Sequence, residues 1–187
     1  MSGDVHVRFC EGLGVRFPRA TRLVILARFI DHRIRDFTES LLEGRFALTI
    51  NRGKTRVVRL QEPKASLDFL GYTFRYDRDR LGRPHGYLNL FPSKKAQARE
   101  RQKLGEMTGP RMCFKPIRGM ISEINHHLKS WSHYYGQGYP RGAFRQINRH
   151  VRERLVRHLK RRSQRPYQSP KGVTWYAHLE RLGLVYL

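Results

Sequence analysis

Bond chemistry would need carboxylates, imidazoles or thiolates held close together, and this chain offers few such groupings. His126 and His127 are adjacent, but neighbours on a helix point about 100° apart. With no third ligand at a useful spacing, a metal site is not expected there. Asp77 and Asp79 could imitate a carboxylate pair, yet Arg75, Arg78 and Arg80 flank them, which makes local ion pairs the expectation. NRGKT lacks the spaced second glycine of a phosphate loop and lies between two strand-like runs. The 2 cysteines, Cys10 and Cys113, are in no Cys-x-x-Cys pair, so free thiols are expected and no zinc site. No catalytic residue, metal or cofactor is expected.

What the sequence supplies in abundance is positive charge. Its 187 residues carry 38 Lys+Arg against 15 Asp+Glu, a formal net of +23. The natural complement is a polyanion whose condensed counterions Lys and Arg replace. Charge alone does not separate RNA from DNA, so both stand as partners at this point. Between Lys94 and Arg165 there are 19 Lys+Arg and 4 Glu with no Asp, a net of +15. A merely solvated face usually mixes both signs, because like charges at i, i+4 repel. The expected nucleic-acid contacts are Lys94, Lys95, Arg99, Arg118, Lys129, Arg141, Arg145, Arg149, Arg152, Arg157, Lys160 and Arg161. Tyr134 joins them, and beside it His133, because both fall off the apolar stripe of their helix and could stack on unpaired bases.

The elements that must carry these residues follow from hydrophobic period. Residues 1–18 have no clean period and read as an irregular leader. LVILA is a short apolar run of strand type, led in by Arg19-Ala20-Thr21-Arg22. Ile30, Ile34, Phe37 and Leu41 recur at helical spacing, and Gly44 reads as the stop. FALTIN and TRVVRL alternate as strands around an NRGK turn. DFLGYTFRY reads as a strand with Leu70, Tyr72, Phe74 and Tyr76 on one face, joined to YLNL in a hairpin, and Gly71 suits a bulge or a close backbone approach.

Beyond Pro92 the chain turns helical. Ser93 is an N-cap candidate for KKAQARERQKLGEM, and MTGPRMCFKP interrupts the pattern. Ile121, Ile124, Leu128, Trp131 and Tyr135 form one stripe. Phe144, Ile147, Val151, Leu155 and Leu159 form a second, within about a third of the helix circumference. WYAHLERLGLVYL is expected to dock back on the body. No stretch approaches the roughly 20 apolar residues that span a bilayer. A cytoplasmic protein without membrane contact is therefore expected.

The ordered motifs LVILAR, LTINRGKTRVV, LDFLGYTFRY, FPSKKA and LKSWSHYYGQGYPRGAFRQINRHVRERLVRHLKRR resemble the C-terminal half of group II intron-encoded reverse transcriptase/maturases. The resemblance covers about residues 19–187. It implies an α+β fold: a truncated palm-like domain at 19–92, a basic α-helical thumb and maturase domain X at 93–163, with domain X over roughly 112–162, and a C-terminal tail at 164–187. It also implies binding of structured intron RNA and assistance to its folding for splicing. In that family Tyr-Ala-Asp-Asp precedes the strand and its acids hold two magnesium ions. Aligned without gaps, Arg19-Ala20-Thr21-Arg22 stands there, so the alanine remains and both acids are gone. Two-metal chemistry needs hard anionic oxygens, whereas Thr21 is neutral and Arg22 would repel the ions. Polymerisation is not expected. Two rivals remain at this stage: one half of a split reverse transcriptase, and a vestigial fragment that binds nucleic acid nonspecifically. An open edge of the palm sheet would permit oligomerisation.

Overall fold

The computed structural model describes residues 4–10, 21–27, 31–78, 86–162, 164 and 167–187. The architecture is mixed α+β. It divides into a sheet-rich unit, Met1–Leu67 with Phe74–Leu88, and a helical unit, Asp68–Thr73 with Asn89–Leu187.

In the sheet-rich unit β1 (Asp4–Cys10) lies between β2 (Thr21–Ala27) and β3 (Arg56–Arg59) and is antiparallel to both. Asp4 pairs with Ala27 and Cys10 with Thr21 on one side; Asp4 pairs with Arg59 and Val7 with Arg56 on the other. This corrects the expected irregular leader over residues 4–10. Val5, Val7 and Phe9 alternate with His6 and Arg8, which is the period of a strand. Residues 11–20 lie outside the described residues, and with them Arg19 and Ala20.

Next comes α1 (His32–Ser40), whose end widens into a π-turn at Leu41–Arg45. Its buried positions are Thr38 and Leu42, while Phe37, expected on the apolar stripe, is 70% exposed. At 100° per residue the arc centred on Thr38 and Leu42 lies about 120° from Phe37. The Thr38 hydroxyl donates to Ile34 O at 2.6 Å, so its burial leaves no donor unmet. Ile30 is outside the described residues.

FALTIN is not a strand. Ala47 adopts φ 50°, and Leu48 N donates to Leu42 O at 2.9 Å. This folds Leu48 and Ile50 onto Leu42 as a small apolar cluster and leaves Phe46 exposed. Gly44 therefore lies inside the π-turn and does not end the helix. NRGK does turn, as a single 3-10 turn at Arg52–Lys54 capped by Asn51 Oδ1, which accepts from Lys54 N at 3.1 Å.

A second sheet has the order β4 (Ser66–Phe69), β5 (Tyr72–Arg78), β6 (Gly86–Pro92). DFLGYTFRY is thus two strands joined by a turn. Leu70 and Gly71 have φ of 50° and 83°, the positive values that a two-residue type I′ hairpin requires at both central positions. Leu70 is consequently exposed in the turn and does not share a strand face with Tyr72. The close approach expected at Gly71 is present: a Cβ there would collide with the Tyr135 hydroxyl. Asp77 is bound by Arg75, Nε to Oδ1 at 2.6 Å, as the flanking charges predict; Asp79 lies outside the described residues.

The helical unit contains α2 (Lys94–Met107), α3 (Ile117–Tyr134), α4 (Arg141–Arg161) and α5 (Trp175–Arg181). Ser93 caps α2, its Oγ accepting from Ala96 N at 3.2 Å. The predicted stripes form the core: Ile121, Ile124 and Leu128 of α3 meet Ile147, Val151, Leu155 and Leu159 of α4, with Leu104 from α2. Leu179 and Leu184 complete it, so the terminal segment docks as expected. Two asparagines hold that segment. Asn125 Nδ2 donates to Gly183 O at 2.7 Å and its Oδ1 accepts from Val185 N at 3.0 Å. Asn148 does the same with Leu187, at 3.0 and 3.1 Å. Among the described residues no helix is long and apolar enough to cross a membrane.

Candidate nucleic-acid interface

The buried residues Ile147 and Val151 of α4 face the core, and five of its cations fall on the far side. By helical geometry Arg141, Arg145, Arg149, Arg152 and Lys160 fall within an arc of about 100°, opposite Ile147 and Val151. Arg141, Arg145, Arg149 and Lys160 are exposed and Arg152 is half-buried. Glu153 is the single acid on this helix. Arg145 and Arg149 form no ion pair among the described residues, so their charge is available to an external anion.

A flank of the same helix uses cations differently. Arg154 Nε donates to Thr108 Oγ1 at 3.0 Å, and its Nη2 donates to Gly105 O at 2.8 Å. Arg161 Nη2 donates to Thr108 O at 3.2 Å, and His158 Nδ1 lies 3.4 Å from the same oxygen. These groups meet the C-terminal turn of α2, where carbonyls lack intrahelical partners and the helix dipole is negative. His158 is fully buried, and burial pushes its imidazole below the ordinary range, so it is held neutral. Its Nε2 has no hydrogen-bond partner among the described residues. Arg161, expected at RNA, is therefore shared with the fold, while Arg157 remains exposed.

On α2, Lys94, Lys95 and Arg99 are exposed, as are Arg118 and Lys129 on α3. Buried between these helices is Glu100, whose carboxylate meets His127 Nε2 at 3.0 Å. Burial raises the Glu100 carboxyl and the His127 contact opposes that rise. His127 is thus a structural partner, and His126 points to solvent. Tyr134 is 52% exposed, with its hydroxyl donating to Leu70 O at 3.0 Å and its ring edge-on to Tyr135. Tyr72 donates to Tyr134 O, which fixes the backbone there. Trp131 packs on Tyr135 and Phe144, in the core role its stripe predicts.

Two features of this region are not marked out by the sequence. Arg154 enters the sequence reading only through the overall charge excess; its position about 180° around the helix from Arg145 sets it apart. Trp175 was read as part of a docking tail, yet with Arg152, Glu153, Val156, Arg157 and Lys160 it lines a groove of 380 Å³.

Residues 97–176, from α2 into α5, match the model of the group II intron, maturase-specific domain. The match covers just under half of the chain, begins upstream of residue 112 and ends beyond 162. It supports a maturase C-terminal region here and indicates a group II intron maturase-related function. No curated protein matches the chain.

Proposed function

We propose that this protein binds structured group II intron RNA through the outward faces of α2, α3 and α4, and so assists intron folding and splicing without synthesising nucleic acid. One observation carries the reading: Arg145 and Arg149 project from α4 without a carboxylate partner among the described residues, inside the stretch similar to the maturase-specific domain. RNA is favoured over DNA by that similarity, since the charge itself is indifferent. The sheet-rich unit is read as a remnant palm and α2 as thumb. Thr21, which opens β2, and Arg22 stand where the resembling family carries its metal-holding acids. A neutral hydroxyl and a guanidinium cannot replace two carboxylates around divalent cations. The sheet edge at β2 or β3 is the surface through which copies would associate.

Crosslinking bound RNA in cells and sequencing it tests this reading. Enrichment of one folded intron is expected. An even spread over transcripts would reduce the activity to nonspecific binding, and metal-dependent primer extension by the purified chain would contradict the non-catalytic part.

A further inference from the structure

The groove beside α5 is lined by both apolar and charged side chains. Arg152, Val156 and Lys160 follow one another at i, i+4 and i+8 on α4, Glu153 and Arg157 run alongside, and the Trp175 indole borders the same space. Val156 and Trp175 provide an apolar floor, while three cations and one acid form the rim. Arg152, Arg157 and Lys160 form no ion pair among the described residues. The indole is held in place: Tyr167 lies 6.2 Å and His178 6.1 Å from it, ring centre to ring centre. Lys160 Nζ stands 6.0 Å from its centroid, within the range of a cation–π contact.

A simple anion would use the rim and leave the floor wet. An apolar ligand would use the floor and leave the cations unmatched. A nucleotide in a single strand uses both, because its base offers a flat π-face and its phosphates carry the charge. Duplex RNA does not, since its bases are stacked and only phosphates reach the surface. At 380 Å³ the groove is near the lower end of the roughly 300–1,000 Å³ usual for small-ligand sites, which suits one nucleoside and no more.

We propose that this groove takes one unpaired base of an RNA strand, stacked on the Trp175 indole, with flanking phosphates on Arg152, Arg157 and Lys160. The proposal rests on the reading of the helical unit as an RNA binder and adds a single-stranded contact to it. Glu153, which lines the same groove, offers an acceptor to the amino edge of the bound base.

The chain has 2 tryptophans, so Trp131→Phe leaves Trp175 as the only indole reporter. That variant is titrated with a short unstructured RNA and with an abasic strand of equal phosphate count. The base-bearing strand is expected to quench Trp175 emission and to bind about 5- to 150-fold more tightly than the abasic one, the usual worth of one stacked base. Equal affinities, an unmoved emission, or equal quenching by an acidic peptide would overturn the proposal. Folded intron RNA is titrated in the same buffer. Absence of salt-sensitive binding by that RNA sinks the proposed function, whereas the base-bearing to abasic ratio and the Trp175 response to the short strand decide the groove.

Discussion

Arg154 and Thr108 are joined side chain to side chain, Nε to Oγ1 at 3.0 Å, and the same guanidinium reaches Gly105 O at 2.8 Å. One arginine of α4 thereby closes the C-terminal turn of α2, while Arg149, on the opposite side, meets solvent. The two should separate cleanly on mutation. Arg154→Ala is expected to cost about 1–3 kcal/mol, because it strands buried acceptors on Thr108 and α2. Arg149→Ala should stay within about 0.5 kcal/mol of the parent. Urea unfolding followed by circular dichroism checks both; similar losses would erase the division between structural and outward cations.

Asn125 and Asn148 each bind the terminal segment through both atoms of a side-chain amide, as a neighbouring strand would. Replacing both with alanine should free residues 183–187 while the three long helices persist. Each hydrogen bond lost is worth about 1 kcal/mol. Amide hydrogen exchange should therefore speed at Val185 and Leu187 and stay slow at Ile124 and Val151. Uniform acceleration would mean that the segment is integral to the helical core's cooperativity, not clipped onto it.

How legible this was in the sequence depends on how far apart the partners lie. The stripes of α3 and α4 were readable because a buried helix face repeats its apolar residues locally, and the Ser93 cap because a cap acts within three residues. FALTIN alternated over too few residues to guarantee a strand; the left-handed Ala47 and the pull of Leu42 folded it into a cluster instead. β1 did carry an alternating signal at Val5, Val7 and Phe9, overshadowed by the glycines that follow it. The Arg154, Glu100–His127 and Asn148–Leu187 contacts join residues 27 to 49 positions apart, and composition or period carries no trace of such pairings. The candidate interface was readable as a charge excess. Which of its arginines serve the fold was not.

His158 gives the helical unit an acid-side weakness. Burial disfavours its imidazolium, so its folded value lies below the ordinary one of about 6.5. An unfolded chain takes up the proton first. Stability is thus full above about pH 6.5 and declines as pH falls toward the folded value. His150 is lowered by burial as well and adds to the decline. Glu100 works in the opposite direction: its folded value is raised, so its contribution is full below the unfolded value and fades as pH rises through the folded one. The unfolding midpoint of the parent should drop between about pH 7 and about pH 5, and His158→Gln should drop less. Parallel curves would show that His158 takes up no proton on unfolding.

The salt dependence of binding to a folded group II intron RNA, compared between the parent and the double variant Arg145→Gln, Arg149→Gln, tests the central claim most directly. If six to ten phosphates are neutralised, the parent should lose roughly 10³- to 10⁵-fold in affinity between about 50 and about 200 mM salt. The double variant should bind more weakly, with a log–log slope shallower by about 2, one for each lost phosphate contact, and with unchanged unfolding. An unaltered affinity and slope would contradict the account by removing the outward face of α4 from the interface.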